Sequence, residues 1–340
     1  MYSITGDMAL TILSFLFLAS LIFFSGKRLS VYGDIIAEHL GLGKAWIGLI
    51  LMASVTSLPE LTVGISSAAI VGSADLAVGD IMGSCVFNLF ILSLLDAFTP
   101  HEPLLSKVSQ SHTLAGAMSI ILVAFVGFGL FLPQEVIIIR WIGLSSLFFI
   151  LIYFVSMRII YQYEVKIRVQ KEGTSGLLLV PQISLRKAAI LYAVNAAVVM
   201  GAALFLPALA EKIAHETGLG ASFTGTLFLA ASTSLPEIAV SFAALRMGSL
   251  DLAVGNLIGS NLFNILILAI DDTFYTKGYL LKDASDVNLY SVFSLIIMTA
   301  IAIAGLTYRI SKKQFFLAWD ALLIGVMYII NLCLLYYLRT

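Results

Sequence analysis

The sequence predicts an all-α polytopic membrane protein with ten transmembrane helices, arranged as two inverted five-helix repeats. Composition is the first observation behind this prediction: of 340 residues, 60% are hydrophobic and only 11% are charged, with a mean hydropathy of +1.02. A soluble domain carries about 25% charged residues, so lipid must solvate most of this surface. The second observation is a segment of about forty residues that occurs once in each half of the chain.

Apolar stretches of about 20 residues, long enough to cross a bilayer core, recur along the chain. The longest polar interruption, residues 159–185, is predicted to be a cytoplasmic linker between a first repeat (1–158) and a second repeat (186–340). Its V-K-I-R-V alternation would also fit a short strand. The ten predicted spans are 8–26, 44–70, 75–97, 111–132, 136–158, 186–208, 222–246, 250–270, 289–308 and 318–337.

The positions of Lys and Arg predict the orientation. With ten spans, alternate loops share a side, and fourteen of these residues fall on one side against five on the other. The positive-inside rule makes the richer side cytoplasmic, so both termini are expected to be extracytoplasmic. The net charge of −1 gives no reason to expect a nucleic-acid partner.

The repeated segment covers residues 54–95 and 231–270, which align with one deletion and share TSLPE, DLAVG and GS-x-x-F-N. Five spans in each copy is an odd number, so the second copy enters the membrane from the opposite side. Secondary transporters with such inverted repeats bind their substrates near the midplane, on interrupted helices. A repeat used only for packing would not need the polar residues found here.

Each copy places one glutamate inside a predicted span, Glu60 and Glu237. An ionised carboxylate at this depth costs a few to many kcal/mol, so such residues are rare and mark functional sites. A neutral Glu that bonds to a neighbouring helix is the alternative explanation. Two Glu at matched repeat positions favour the functional one.

Proline precedes both glutamates. Pro59 and Pro236 each lack the N–H that would bond to the carbonyl four residues earlier, at Val55 and Ser232. The turn before each Glu should therefore be loosened, which leaves carbonyl oxygens available to bind an ion.

Hydroxyl and amide side chains recur at helical spacing around each Glu. Their oxygens, without any nearby Cys or His ligand pair, favour Ca²⁺, Mg²⁺, Mn²⁺, Na⁺ or H⁺ over copper or zinc. For any one hydroxyl, a hydrogen bond back to its own helix is the simpler explanation. The candidate metal ligands are Thr56, Ser57, Ser84 and Asn88 in the first copy and Thr233, Ser234, Ser260 and Asn264 in the second.

Small residues and charge complete this prediction. The pairs Gly79/Gly83 and Gly255/Gly259 would let helices approach closely and bring the Asn side chains toward the Glu. Two adjacent carboxylates repel each other unless a divalent ion, monovalent ions or protons neutralise them. Moving an empty charged site through the bilayer is unfavourable, which favours exchange over leak.

TSLPE followed by GS-x-x-F-N, present twice in opposite orientation, resembles the two alpha repeats of the calcium/cation antiporter superfamily, in particular its prokaryotic sodium/calcium exchangers. The resemblance implies Na⁺/Ca²⁺ antiport by alternating access in the plasma (inner) membrane of a prokaryote, with no cofactor. It also implies that Glu60, Glu237 and the side chains above are ligands, together with the backbone carbonyls of Ala53 and Ala230. Spans 2, 3, 7 and 8 would form the core, and spans 1 and 6 would slide obliquely across it.

Two features depart from this pattern. Some members carry Asp at one of the positions that are Asn88 and Asn264 here, so the predicted site has two carboxylates and its stoichiometry stays open. The first copy also has Asp80 where the second has Asn256. Asp80 is interpreted as a third ligand, a protonatable coupling group or, slightly favoured, a carboxylate in a polar entrance.

Asp75 and Asp251 open spans 3 and 8 and are expected to cap those helices through the helix dipole.

Other functions fit less well. A proton-coupled Ca²⁺ or Mg²⁺ exchanger is the nearest alternative, motivated by Asp80. A passive cation channel is a different class and would need no occluded site. A membrane enzyme is disfavoured, because no Ser/His/Asp set, HExxH or DxD motif appears at membrane depth. The expected partners are inorganic cations and the lipid bilayer.

Overall fold

A computed structural model describes residues 6–99, 101–131, 137–172, 183–217, 231–310, 312–313 and 316–338. Apart from a short hairpin, these residues form helices joined by turns. The helices are α1 Gly6–Leu40, α2 Lys44–Thr56, α3 Leu58–Val71, α4 Ala74–Ala97, α5 Leu104–Lys107, α6 Ser111–Phe131, α7 Leu144–Glu172, α8 Leu185–Glu216, α9 Leu235–Arg246, α10 Leu250–Phe274, α11 Leu280–Asp283, α12 Asn288–Tyr308 and α13 Trp319–Leu338; the strands are β1 Ile137–Ile139 and β2 Ile142–Gly143.

Eight of the described helices are long and apolar enough to cross a membrane. The pair α2 and α3, bent by 42° at its break, makes a ninth span. The predicted span 222–246 begins in residues 218–230, which lie outside the described residues, and its second part is α9. The described helices therefore account for the predicted spans as far as the structure reaches.

Helices α1 and α8 are longer than predicted, at 35 and 32 residues. A helix of this length extends about 50 Å, while a bilayer core is about 30 Å thick, so both helices must tilt. The predicted end at residue 26 was wrong because Lys27 and Arg28 suggested a loop; both are exposed residues inside α1. The two long helices pack against each other, and α1 also crosses α9 while α8 crosses α2 and α3.

The fifth span begins at Leu144 rather than at residue 136, because a β-hairpin precedes it. The run of β-branched residues in β1 favours a strand, and Arg140 turns the chain with φ 57°. Two hydrogen bonds hold the hairpin to the end of α10: Trp141 Nε1 donates to the Thr273 carbonyl at 3.0 Å, and Gly143 N donates to Asp272 Oδ2 at 2.8 Å.

Helix α7 continues to Glu172. The first part of the predicted linker 159–185 is therefore helical, and its V-K-I-R-V sequence is neither a loop nor a strand. Residues 173–182 lie outside the described residues.

The centre of the fold is formed by α4 and α10, which cross each other and pack against the bent spans. Glycines let α10 touch the backbone of α2. A Cβ added to Gly255 would lie 2.6 Å from the Ala45 carbonyl oxygen, and one added to Gly259 would lie 2.6 Å from Leu49 Cα. The close approach predicted from this glycine pair is confirmed. A Cβ added to Gly79 would lie 3.5 Å from Asn288 Oδ1, and one added to Gly83 would meet nothing within 4 Å among the described residues.

Matching contacts at two helix ends reveal the repeat. Asp96, at the end of α4, accepts a hydrogen bond from the backbone N–H of Leu104 at 2.7 Å. Asp272, at the end of α10, accepts one from Leu280 N at 3.0 Å. Each Asp thus fixes the short helix eight residues later, α5 or α11, in the same way.

A second matched pair of acidic residues connects the two repeats. Asp75 and Asp251 stand in the first turns of α4 and α10, but their carboxylates bind loops of the opposite repeat. Asp75 accepts from Ser285 N and from Asn288 Nδ2, and Asp251 accepts from Ser109 N at 2.6 Å. Both acids therefore stand where the helix dipole favours them, and their carboxylates also link the two repeats.

Candidate cation site

Both TSLPE segments interrupt their helices at the serine. Ser57 has φ −89° and ψ 9°, and Ser234 has φ −86° and ψ 12°, so neither continues a regular helix. Pro59 and Pro236 lie in the first turns of α3 and α9, where a missing N–H is tolerated. Since Pro59 cannot donate to the Val55 carbonyl, the break loosens the turn as predicted.

Glu60 and Glu237 follow these prolines and are buried, with 1% and 0% exposure. They come from opposite repeats, yet they lie close enough for the charge of Glu237 to repel that of Glu60. The Ser84 hydroxyl of α4 interacts with the Glu60 carboxylate. The structure therefore brings the two predicted carboxylates together at the crossing of α4 and α10.

The side-chain hydroxyls at the helix break of the first repeat are directed to Glu237 and Ser260 of the second repeat. Ser57 Oγ donates to Glu237 Oε1 at 3.3 Å, and Ser260 Oγ donates to the same oxygen at 3.4 Å. Thr56 Oγ1 lies 3.3 Å from Ser260 Oγ. Thr56 and Glu60 are four residues apart, but the helix breaks between them, and the Thr56 hydroxyl is directed toward the other repeat.

Thr56 reaches two further oxygens. Its hydroxyl lies 3.3 Å from the Ala53 carbonyl and 3.3 Å from Asn256 Oδ1, and its single proton can serve one acceptor at a time. The Ala53 carbonyl also accepts from Ser57 N at 3.0 Å, so it lies beside the site hydroxyls. Ala230, its predicted equivalent, lies outside the described residues.

Asn88 and Asn264 are anchored through their amide nitrogens. Asn88 Nδ2 donates to Asn261 Oδ1 at 3.0 Å, and Asn264 Nδ2 donates to Cys85 Sγ at 3.6 Å. Cys85 and Asn261 occupy equivalent positions in the two repeats, directly after the serine of GS-x-x-F-N. Sequence reasoning missed both, although that position was the available signal. These bonds leave each Oδ1 atom without a donor among the described residues.

Unsatisfied oxygen atoms mark the site. Within the described part of the chain, five buried oxygens of the predicted ligands other than Asp80 have no hydrogen-bond partner. Such a group costs about 1–3 kcal/mol when nothing satisfies it. Hard cations coordinate oxygen atoms from carboxylates, amides and hydroxyls, so bound ions would satisfy these atoms. They are Glu60 Oε2, Glu237 Oε2, Asn88 Oδ1, Asn264 Oδ1 and Ser234 Oγ.

The site combines two carboxylates with neutral oxygens. Among residues that the structure describes, no group of three or more His, Cys, Asp or Glu is arranged to hold a metal ion. Asp80 is near enough to repel Glu60, but it stands one helical turn before Ser84 on α4. Thr233 is buried beside Ser234, with 1% exposure.

A cavity of about 350 Å³ lies elsewhere, at the ends of α4 and α9, and is lined by Phe98, Phe242, Arg246 and their neighbours. No predicted ligand lines it.

Comparison with known proteins places this geometry in context. A family model described as "Sodium/calcium exchanger protein" matches residues 10–162 and 187–337. The inner membrane protein YrbG of Escherichia coli is 28% identical over 304 residues, covering 86% of this chain and 87% of YrbG. The putative antiporter CaxA of Alkalimonas amylolytica is 27% identical over 298 residues, covering 86% and 88%. A sodium/calcium exchanger of Methanosarcina acetivorans is 34% identical over 146 residues, covering 42% and 39%.

Solved structures show the same fold. The sodium-calcium exchanger NCX_Mj soaked with 2.5 mM Na⁺ and 0.1 mM Ca²⁺ superposes with a TM-score of 0.72 at 22% identity, covering 95% of this chain and 98% of that one. The same exchanger soaked with zero Na⁺ and Ca²⁺ gives a TM-score of 0.73, also at 22% identity, with the same coverage. The prediction of an all-α polytopic membrane fold is confirmed.

Proposed function

We propose that this chain, which belongs to the sodium/calcium exchanger protein family and is a membrane cation antiporter, exchanges Na⁺ for Ca²⁺ at the site between its two TSLPE segments. The observation that carries the proposal is the set of buried oxygens without hydrogen-bond partners, contributed by both repeats. Bound cations would satisfy these oxygens.

The charge of the site suits both ions. Glu60 and Glu237 together carry two negative charges when ionised, which one Ca²⁺ neutralises. Na⁺ ions bound among the same oxygens would neutralise them as well, so Ca²⁺ and Na⁺ would compete. Asn88 and Asn264, held by their nitrogens, would each offer a preoriented carbonyl oxygen. The remaining proposed ligands are Thr56, Ser57, Ser84, Thr233, Ser234, Ser260 and the carbonyls of Ala53 and Ala230.

The tilted helices supply a means of alternating access. Gly26 of α1 lies against α9, where an added Cβ would stand 3.2 Å from Val240 Cγ2. Ser30 Oγ donates to the Val240 carbonyl at 2.9 Å. Because Gly26 has no side chain, the surface of α1 that faces α9 is smooth at this point, which supports sliding of α1 past the core. The inverted repeat suggests that α8 slides in the same way. Sliding would expose the site to one side of the membrane and then to the other.

The topology in the membrane follows from the charge distribution. We place both termini outside the cytoplasm and the two halves, 1–158 and 186–340, on either side of the segment 159–185. The membrane would be the inner (plasma) membrane of a prokaryote. Relatives from Escherichia coli and Methanosarcina acetivorans support this location.

Vesicles that contain the purified protein test the proposal. An outward Na⁺ gradient should drive Ca²⁺ uptake, and collapsing the gradient with a Na⁺ ionophore should stop it. Uptake driven by an outward H⁺ gradient alone, or by Mg²⁺ exchange, would instead establish the alternative motivated by Asp80. Ca²⁺ flux without any counter-ion would identify a channel and refute exchange.

A further inference from the structure

The two repeats differ at three positions that meet beside the central site. Asp80 of the first copy corresponds to Asn256 of the second, and Gly64 corresponds to Ser241. The third difference is reversed, because Asp271 of the second copy corresponds to Leu95 of the first. Because the repeats are inverted, these differences concentrate acidic groups on one side of the glutamates and neutral groups on the other.

On the neutral side, the polar groups satisfy one another. Asn256 Nδ2 donates to Ser241 Oγ at 3.0 Å, and Asn256 Oδ1 lies 3.3 Å from the Thr56 hydroxyl. The three residues are fully buried, as is Leu95. This arrangement has neither a charge nor an unsatisfied amide, so it needs no ligand.

On the acidic side, a carboxylate fills the space that a side chain at position 64 would occupy. A Cβ on Gly64 would clash with Asp271 Oδ2. Asp271 has 0% exposure, and neither of its carboxylate oxygens has a hydrogen-bond partner among the described residues. Asp80 Oδ2 is buried and equally without a partner in the described part of the chain. Asp80 and Asp271 lie within electrostatic range of each other on this side of the glutamates.

Two buried carboxylates within electrostatic range of each other are neutralised either by protons or by a cation, since burial and mutual repulsion both oppose ionisation. Lys277, the first basic residue after Asp271 in the chain, directs its ammonium to the Gly72 carbonyl at 2.9 Å. A divalent cation would neutralise both carboxylates. Oxygen ligands from two Asp with water in the remaining positions suit Ca²⁺, which accepts mixed protein and water coordination.

The position of the pair relates it to the central site. Gly64 lies one turn after Glu60 on α3, and Asp80 lies one turn before Ser84 on α4, so both are about 6 Å further along the membrane normal. Asp271 is near the end of α10. This end faces the side of the membrane that the charge bias predicts to be extracytoplasmic.

We propose that Asp80 and Asp271 form a second cation site, which holds a partly hydrated Ca²⁺ between the extracytoplasmic surface and the central glutamates. The site raises the local Ca²⁺ concentration on that side only, since its counterpart on the other side is the neutral Asn256 and Ser241 pair. It goes beyond the proposed exchange function, because it concerns a site distinct from the paired glutamates.

The repeat itself supplies the test variant. Gly64→Ser, Asp80→Asn and Asp271→Leu together give the acidic side the residues of the neutral side. In vesicles of known orientation, this triple variant should raise the KM for Ca²⁺ on the extracytoplasmic side at least about tenfold relative to the cytoplasmic KM. Asp286→Asn is the control, because Asp286 is an exposed acid in the loop after α10. It should leave the ratio of the two KM values at the parent value.

Equilibrium binding of ⁴⁵Ca²⁺ separates this proposal from the exchange function. The Glu60→Gln, Glu237→Gln double variant should lose exchange but retain one weaker Ca²⁺ per chain, and adding Asp80→Asn and Asp271→Asn should abolish this residual binding. If the triple variant does not fold, the single Asp271→Asn variant in the same binding assay decides the question. An unchanged KM ratio, or no residual binding in the double variant, would overturn the second site.

Discussion

The Ser57 hydroxyl donates a hydrogen bond to Oε1 of Glu237 over 3.3 Å, although the two residues are 180 positions apart in the chain. The helix break of one repeat thus supports the carboxylate of the other. Ser260, from the same repeat as Glu237, donates to that oxygen at 3.4 Å. Neither repeat therefore contains a complete site, and the ligands assemble only when both repeats pack together.

Replacing either central carboxylate should abolish exchange. In Glu60→Gln or Glu237→Gln, the site loses one of the two charges that balance Ca²⁺, while the amide keeps the volume of the side chain. We expect both variants to fold, as judged by gel filtration, and to show no Na⁺-driven ⁴⁵Ca²⁺ uptake. Glu102→Gln, an exposed acid, is the control and should transport like the parent. Parent-like transport by either site variant would show that the paired carboxylates are not the site.

Removing the hydroxyl that links the repeats should weaken Ca²⁺ binding. Hydrogen bonds to charged groups contribute about 1.5–3 kcal/mol, so Ser57→Ala should lower Ca²⁺ affinity at least about tenfold. The matched control is Ser119→Ala, because Ser119 is buried in α6, away from the predicted ligands. Calorimetric titration with Ca²⁺ measures both. Equal affinities for the two variants would mean that the hydroxyl of Ser57 does not orient Glu237.

The sequence is sufficient to predict the repeat, the burial of Glu60 and Glu237 and most candidate ligands, because TSLPE and GS-x-x-F-N occur twice. It does not reveal the hydrogen bond from Ser57 to Glu237, since helical spacing predicts neighbours only within one continuous helix. The break at Ser57 invalidates that assumption. The sequence does not single out Asp271, because its counterpart in the other repeat is Leu95 and no repeated motif contains it.

The ends of the spans were predicted less well for a different reason. Hydropathy measures solvation by lipid and does not distinguish a helix from a strand. The apolar residues of β1 therefore looked like the beginning of the fifth span. Similarly, Lys27 and Arg28 indicate a loop after the first span when hydropathy alone is considered. Long basic side chains on the exposed face of a helix can nevertheless extend to the polar interface, so the helix continues through them.

Close packing of α10 on α2 should tolerate no side chain at position 259. A Cβ there would press on the backbone of Leu49, so Gly259→Ala should separate the two helices and lower both the thermal unfolding temperature and exchange. Gly201→Ala is the control, because its Cβ would meet nothing within 4 Å among the described residues of the fold. Because alanine has a higher helix propensity than glycine, Gly201→Ala should also stabilise α8 by roughly 1 kcal/mol. The measurement is the thermal unfolding temperature of each variant in detergent. Equal unfolding temperatures for Gly259→Ala and Gly201→Ala would contradict the close contact.

A polar contact between α1 and the core should restrain the sliding helix. The Asp34 carboxylate lies 2.7 Å from Lys44 Nζ and accepts from Ser249 Oγ at 2.8 Å. Asp34→Asn should weaken this contact, and backbone amides of residues 26–40 should exchange hydrogen faster. Glu38→Gln is the matched control, since Glu38 lies 3.8 Å from Lys44. Identical exchange rates in the two variants would show that Asp34 does not hold α1.

Competition between the two ions at equilibrium probes the shared site without a membrane gradient. Detergent-solubilised protein should bind ⁴⁵Ca²⁺, and increasing Na⁺ should displace the tightly bound ion until none remains. The Glu60→Gln, Glu237→Gln double variant should lack this Na⁺-sensitive component altogether. Tight Ca²⁺ binding that is indifferent to Na⁺, or that survives loss of both carboxylates, would contradict a single site used in turn by Ca²⁺ and Na⁺.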